Sequence, residues 1–212
     1  MSFLKHACVV ALAATLPVAA HATIPASTFN FYFEGGTLVD QVSNSPSYVS
    51  GNLQLIVRAF DASGKAIQVA SNFTGLGAKS GGLTDSGDLN AGSLLGGGAP
   101  GEYLTLTFNQ AVNLTDLRLS GWSDLPLIND SGALSWGSKS FTLGSNNDHG
   151  LLLATFSPVG ASGTTFKLQA TGTSAFRLGG LNVTAAVPEP GTYALMALGL
   201  AGLGVVARRR QA

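Results

Sequence analysis

Oxygen-bearing side chains are the first candidates for chemistry in this chain. Residues 85–90 place Asp85, Asp88 and Asn90 in a glycine-rich stretch. Calcium accepts irregular cages of carboxylate and amide oxygens, so these three residues are candidate calcium ligands. Their spacing does not fit the EF-hand pattern, and a solvated turn is the favoured alternative for the same segment.

Nucleophilic and zinc chemistry is restricted by composition. The only histidine between residues 23 and 186 is His149, and the only cysteine of the chain, Cys8, lies in an apolar N-terminal run. A Cys/His nucleophile and a zinc site of His and Cys ligands are therefore excluded. A Ser-His-Asp triad would need His149, but the hydrophilic residues 145–150 predict a turn, and no G-x-S-x-G motif is present.

The carboxylates and the tryptophans suggest two further functions, glycoside hydrolysis and sugar binding. Glycoside hydrolysis needs two carboxyl groups about 5 to 10 Å apart, but nothing in the spacing of Glu34 and Glu102 pairs them. Trp122 and Trp136 are candidate sugar-binding residues, because an exposed indole ring supports the apolar face of a pyranose. In a chain rich in strands, burial of both rings in the core is the favoured alternative. The sequence thus predicts no catalytic residue, no cofactor and no enzymatic activity.

The central region has few charges and no cysteine. Residues 23–186 carry seven lysines and arginines against ten aspartates and glutamates, a net charge of −3. Nucleic-acid binding needs clustered positive charge, so nucleic acid is excluded as a partner. Without disulfides the stability must come from packing, and the length suits one domain with a substantial core.

Apolar and polar residues alternate with period two, which predicts an all-β domain. The clearest strand runs from Glu102 to Phe108, and Asn109 and Gln110 predict a turn into a second strand at 112–120. A hairpin is predicted from residues 53–60 and 65–69, joined by a turn at 61–64, and other strands at 29–33, 140–143, 151–156, 164–170 and 175–184.

Eight to ten short strands with Gly, Asn, Asp and Pro turns are typical of a single antiparallel β-sandwich or jelly roll. We therefore predict that architecture for residues 23–186. Residues 75–101 are rich in glycine and have only scattered apolar residues. This segment predicts a functional loop or disorder.

The first 22 residues predict a secretory signal peptide. A weakly basic start at Lys5 and His6 precedes an apolar run, and Ala20 and Ala22 form an A-x-A cleavage site. Signal peptidase is therefore an expected partner. The mature chain is expected to begin at Thr23.

Residues 187–212 form a second candidate targeting segment, at the C-terminal end of the sequence. Pro188, Glu189 and Pro190 precede the uncharged residues 191–207. The cluster that follows is Arg208, Arg209 and Arg210. As a helix the uncharged segment would be roughly 25 Å long, close to the thickness of a bilayer core, and the arginines would hold its end in the cytoplasm. A single transmembrane helix is therefore predicted, with a plain membrane anchor or a buried helix as alternatives.

This order of parts closely resembles the PEP-CTERM sorting signal of Gram-negative bacteria that make extracellular polysaccharide. The resemblance implies exosortase, an integral-membrane enzyme, as a processing partner. It also implies a transient stay in the inner membrane, removal of the tail near Pro188–Pro190, and delivery to the cell surface or extracellular matrix. A looser resemblance to PEP-CTERM ectodomains lies in the Gly75-Leu76-Gly77 sequence upstream of the 102–108 strand, and it implies a fold without a chemistry.

Taken together, the residues and the resemblance predict a non-enzymatic exported protein. The predicted role is structural or adhesive, in an exopolysaccharide or biofilm setting, with exopolysaccharide as a candidate partner. The alternatives are a carbohydrate-binding module and, more distantly, a polysaccharide-active enzyme. Glycan binding would favour the first of these, and activity lost on mutation of a carboxylate pair would favour the second.

Overall fold

A computed structural model describes residues 26–32, 39–81, 85–91, 101–125, 128–144, 152–186 and 196–201. Most of the described chain is β-structure. The strands are β1 (Ser27–Asn30), β2 (Gln41–Ser43), β3 (Ser47–Ser50), β4 (Leu53–Phe60), β5 (Ala66–Asn72), β6 (Gly75–Lys79), β7 (Leu89–Asn90), β8 (Tyr103–Trp122), β9 (Asp124–Leu125), β10 (Ile128–Asn129), β11 (Ser131–Trp136), β12 (Lys139–Leu143), β13 (Leu152–Phe156), β14 (Ser162–Thr171) and β15 (Ala175–Ala185). The prediction of an antiparallel all-β domain is confirmed.

Strand β8 closes the sheet into a barrel. The path β15-β6-β5-β4-β8 is hydrogen-bonded throughout, and β8 also pairs with β15. Residues 103–108 of β8 lie beside β4, whereas residues 112–120 lie beside β15. The predicted sandwich or jelly roll is therefore wrong: because one continuous strand pairs with both ends of the path, the sheet is a closed barrel.

The predicted turn at Asn109 and Gln110 is also wrong, because β8 continues through both residues. The Asn109 side chain accepts a hydrogen bond from the Gln54 backbone N–H at 3.0 Å and donates one to the Asn52 carbonyl at 3.1 Å. These bonds tie the polar position to the turn before β4. The polar residues that suggest a turn therefore lie where β8 stops pairing with β4 and begins to pair with β15.

Part of the glycine-rich segment is folded, and the prediction of a loop or disorder for 75–101 is wrong there. Residues 75–79 form β6, most of which is buried, and residues 89–90 form β7. A Cβ atom at Gly77 would overlap the backbone carbonyl of Gly87. The glycine thus lets two backbone segments touch, and its presence reflects packing.

Alternating apolar side chains fill the barrel. Leu104, Leu106, Leu117 and Leu119 of β8 are fully buried, as the period-two pattern predicts. The β4–β5 hairpin is confirmed by the pairing of Ala59 with Ile67. The strands predicted near residues 140–143, 151–156, 164–170 and 175–184 are confirmed as β12, β13, β14 and β15.

The two ends of the chain are only partly described. Residues 196–201 are helical, within the predicted transmembrane segment. Within the described ranges, none of the helices combines the length and the apolar character that a membrane crossing requires. The predicted signal peptide at 1–22 and the remaining residues of 187–212 lie outside the described residues.

Candidate functional site

A cleft of about 730 Å³ lies against the outer face of β8 and β15. On β8, Leu117 and Leu119 point into the core, so the alternate residues Arg118 and Ser120 face the cleft. The other lining residues are Asn30, Tyr32, Phe73, Thr74, Asp88, Gly121, Leu153 and Arg177. The cleft therefore combines two arginines, several neutral hydrogen-bonding groups and apolar walls.

Two adjacent glycines of β15 make room for the polar residues of the cleft. The register of β15 against β8 shifts between Leu178 and Gly180, as in a β-bulge. A Cβ atom at Gly179 would lie 2.5 Å from Cζ of Tyr32, and one at Gly180 would lie 2.6 Å from Nη2 of Arg118. The phenol and the guanidinium thus rest directly on the backbone of β15.

Arg118 is a half-buried cation that forms one hydrogen bond with the other described residues. Its Nη2 donates a hydrogen bond to the Phe29 carbonyl at 3.3 Å, and its buried Nε has no partner among the residues that the structure describes. Arginine carries five N–H donors. Arg118 forms no ion pair with any residue in the part of the chain that the structure describes.

Tyr32 supplies a neutral donor beside this cation. Burial raises the pKa of the Tyr32 phenol, and the charge of Arg118 and the Ser120 hydroxyl offset part of the increase. The phenol is therefore protonated at neutral pH. Ser120 itself donates through its hydroxyl to the Thr74 carbonyl at 2.5 Å.

Arg177, by contrast, pairs with two carboxylates, although its buried Nη1 has no hydrogen-bond partner among the described residues. Its side chain is only 5% exposed, and it pairs with Asp88 at 2.6 Å and with Asp40 at 2.9 Å. It also donates to the Ser86 carbonyl. Lys79 lies 3.2 Å from the second oxygen of Asp40. Two cations and two carboxylates pair with one another here, and among the described residues neither carboxylate forms an ion pair with Arg118.

The candidate calcium ligands have other partners. The Asp85 carboxylate accepts backbone N–H bonds from Ser80 at 2.7 Å, Gly81 at 3.1 Å and Gly87 at 2.9 Å. Asp88 pairs with Arg177, and Asn90 is buried. No group of three or more His, Cys, Asp or Glu side chains suited to a metal occurs among the described residues.

The candidate sugar-binding tryptophans are both buried, so neither ring offers a platform at the surface. Trp122 packs against Phe156, with the ring centroids 5.0 Å apart, and Trp136 packs near Phe166. The structure therefore supports the core alternative for both. Glu102 is buried where β8 begins. The other two candidates, Glu34 and His149, lie outside the described residues.

Comparison with protein families identifies the C-terminal segment. Residues 186–210 match the PEP-CTERM protein-sorting motif. The chain is a PEP-CTERM domain-containing protein. The motif implies export, processing by exosortase and sorting to the cell surface. A comparison of this PEP-CTERM protein with curated proteins gives no match.

Of the cleft residues, the sequence motifs include only Asp88, which was a candidate calcium ligand. Tyr32, Phe73, Arg118 and Arg177 come from four separate segments. One signal was available: adjacent glycines inside an alternating strand, as at Gly179 and Gly180, indicate that another group approaches the backbone closely. That signal locates a close approach but does not name the approaching side chain.

Proposed function

We propose that this PEP-CTERM protein is a non-enzymatic surface protein with a structural or adhesive role in the extracellular matrix. The sorting motif at residues 186–210 supports delivery to the outside of the cell. The disulfide-free barrel supports a domain that holds its shape there by packing alone. Its outer cleft supplies a place for attachment to a matrix component.

The observation that carries the non-enzymatic part is the chemistry of the cleft lining. Asp88 is the only carboxylate among the described lining residues, and its 2.6 Å ion pair with Arg177 occupies it. Hydrolysis of a glycosidic bond needs two carboxyl groups in separate roles. The lining therefore favours binding over cleavage, and the polysaccharide-active enzyme gains no support from it.

A carbohydrate-binding module is the second candidate, favoured by the rim of the same cleft. Phe73 is 36% exposed and Leu153 is 51% exposed, so the rim offers apolar surface beside polar groups. An exposed phenyl ring supports the apolar face of a sugar, and the nearby Asn30 and Thr74 side chains match sugar hydroxyls. The two candidates are compatible, since binding a matrix sugar is one route to adhesion.

The proposal is tested with a deletion strain of the host and with the same strain complemented by the wild-type chain. We expect the deletion strain to attach less well or to hold less matrix, and the wild-type chain to restore both. The exported protein should be recovered from the surface or matrix fraction. It should release no new reducing ends from the host polysaccharide. Unchanged attachment, or cleavage that scales with protein concentration, would contradict the proposal.

A further inference from the structure

We propose that the cleft binds a sugar that carries a carboxylate, with Arg118 as the residue that holds the carboxylate. This inference rests on the proposed function and specifies the ligand class of the same cleft. Its physical basis is a half-buried guanidinium that lies beside apolar walls without a counter-ion among the described residues.

The charge of Arg118, which has no ion-pair partner in the described part of the chain, favours an anion. A cation that loses contact with water pays a desolvation cost unless a carboxylate or several acceptors replace the lost water. In the described part of the chain Arg118 has one acceptor, the Phe29 carbonyl. A planar carboxylate fits the fork of a guanidinium in a bidentate arrangement, which is among the stronger polar contacts in proteins.

The neighbouring ionic network distinguishes Arg177 from Arg118, because Arg177 already has carboxylate partners. Asp40 and Asp88 hold Arg177 and balance its charge, and Lys79 adds to the same network. An incoming anion therefore does not need to break those pairs. The phenol of Tyr32, which burial keeps protonated by raising its pKa, lies beside Arg118 in the lining of the cleft and adds no negative charge there.

The volume and the apolar lining of the cleft favour a ligand larger than an inorganic ion. Its volume of about 730 Å³ lies within the range of small-molecule sites, roughly 300–1,000 Å³. A phosphate or sulfate ion would leave Phe73 and Leu153 in contact with water. The apolar face of a pyranose would cover Phe73, and its hydroxyls would reach the side chains of Asn30 and Thr74.

The site is pre-formed in the described structure. Gly179 and Gly180 leave room for Tyr32 and Arg118 on the backbone of β15, and the Phe29 carbonyl fixes one end of the guanidinium. A ligand therefore does not have to order these groups itself. Pre-organisation of this kind lowers the entropy cost of binding.

The test uses the natively exported protein and isothermal titration calorimetry. The ligands are the trimers of galacturonate, glucuronate and mannuronate, each compared with its methyl ester, which removes only the charge. We expect at least one acid trimer to bind. Its affinity should be about tenfold to a hundredfold above that of its ester, as for loss of a charged hydrogen-bonded contact.

Two arginine variants assign the contact. Arg118→Gln should weaken binding of the acid by about tenfold or more, because it removes the charge and keeps a donor. Arg58→Gln is the matched control, since Arg58 is an exposed arginine of β4 that does not line the cleft. It should leave the affinity unchanged. Melting temperatures of both variants show whether each is folded.

Three results would overturn the inference: no binding of any acid trimer, equal binding of acid and ester by the wild type, or sulfate binding as tightly as the trimers. The ester comparison uses the wild type, so it decides the question even if Arg118→Gln does not fold. If one of these results is found but the deletion strain still attaches less well than the wild type, the inference is wrong and the proposed function stands. Absence of any attachment defect would defeat the proposed function separately.

Discussion

Arg118 and Gly180 lie opposite each other on β8 and β15, and a Cβ atom at Gly180 would stand 2.6 Å from Nη2 of the arginine. A strand interior normally disfavours glycine, because it has no side chain to pack. Here the missing side chain is what allows a guanidinium to lie on the sheet. The position of the cation in the cleft thus depends on a residue that carries no functional group.

Substitution Gly180→Ala tests this dependence. The added methyl group would also stand 2.8 Å from the Phe29 carbonyl, so the backbone of β1 or β15 must shift as well as Arg118. We expect a loss of about 1–3 kcal/mol of stability, as is usual for overpacking. Thermal unfolding measures the loss. Gly163→Ala is the control, because Gly163 also lies in a strand but a Cβ atom there would meet no atom closer than 4.0 Å. Equal melting temperatures for the two variants would contradict the packing account.

The buried network around Arg177 predicts a larger effect. Arg177→Met keeps an apolar stem of similar length but leaves the Asp40 and Asp88 carboxylates without their main cation. Removal of one partner from a buried ionic network costs about 3–5 kcal/mol. Denaturant titration should show this loss. Arg58→Met, which changes an exposed arginine of β4, should stay close to the wild type.

Tyr32 predicts a dependence of stability on alkaline pH. Because burial raises its pKa in the folded state, the protonated phenol stabilises the fold fully below the unfolded pKa of about 10. This contribution is lost as pH rises through the folded pKa. Melting temperature measured across this range should therefore fall less steeply in Tyr32→Phe than in the wild type. Parallel curves would count against the assignment.

Asp61 predicts the opposite dependence at acid pH. Its Oδ1 accepts hydrogen bonds from the Ser63 hydroxyl at 2.6 Å, the Ser63 N–H at 2.9 Å and the Lys65 N–H at 3.0 Å. The Ser63 hydroxyl is the main cause of the lowered pKa of this carboxyl. The contribution is present above the unfolded pKa and is lost as pH falls through the folded pKa.

Asp61→Ala should therefore lower the melting temperature at neutral pH, and the difference from wild type should shrink in acid. Asp61→Asn keeps an acceptor without the charge, so it should fall between the two. A difference that stays constant with pH would mean that the charge of Asp61 plays no part in holding this turn.

The sequence predicts the parts of the fold that depend on local alternation. The alternating pattern predicts a shared inward orientation for Leu104, Leu106 and Phe108, since every second residue of a strand faces the same side. Closure of the barrel was not predictable in this way. It depends on β8 exchanging one partner for another near Asn109, a residue that on its own favours a turn.

The cleft was not predictable for a related reason. Arg118 lies in an alternating strand, so the sequence pattern predicts an ordinary solvent-facing arginine. Its half-buried state comes from Tyr32 and Phe29, which approach from the beginning of the described chain, and from the space left by Gly180. The tryptophans, in turn, are large apolar residues, and only the packed structure shows that Trp122 contacts Phe156 in the core.

The last prediction concerns sorting and separates a processed tail from a plain membrane anchor. If residues 191–207 only held the chain in the membrane, then Pro188→Ala with Pro190→Ala should have little effect, since the apolar segment and the three arginines are unchanged. If exosortase reads the tail, the double variant should keep it. Two prolines disfavour helix in the residues before them and so expose an extended backbone to a processing enzyme. Intact mass of the exported protein, with membrane and surface fractions compared, measures the outcome. We expect the variant to accumulate in the membrane fraction, larger than wild type by the mass of the tail. Equal mature mass and equal surface delivery would reduce the segment to an anchor.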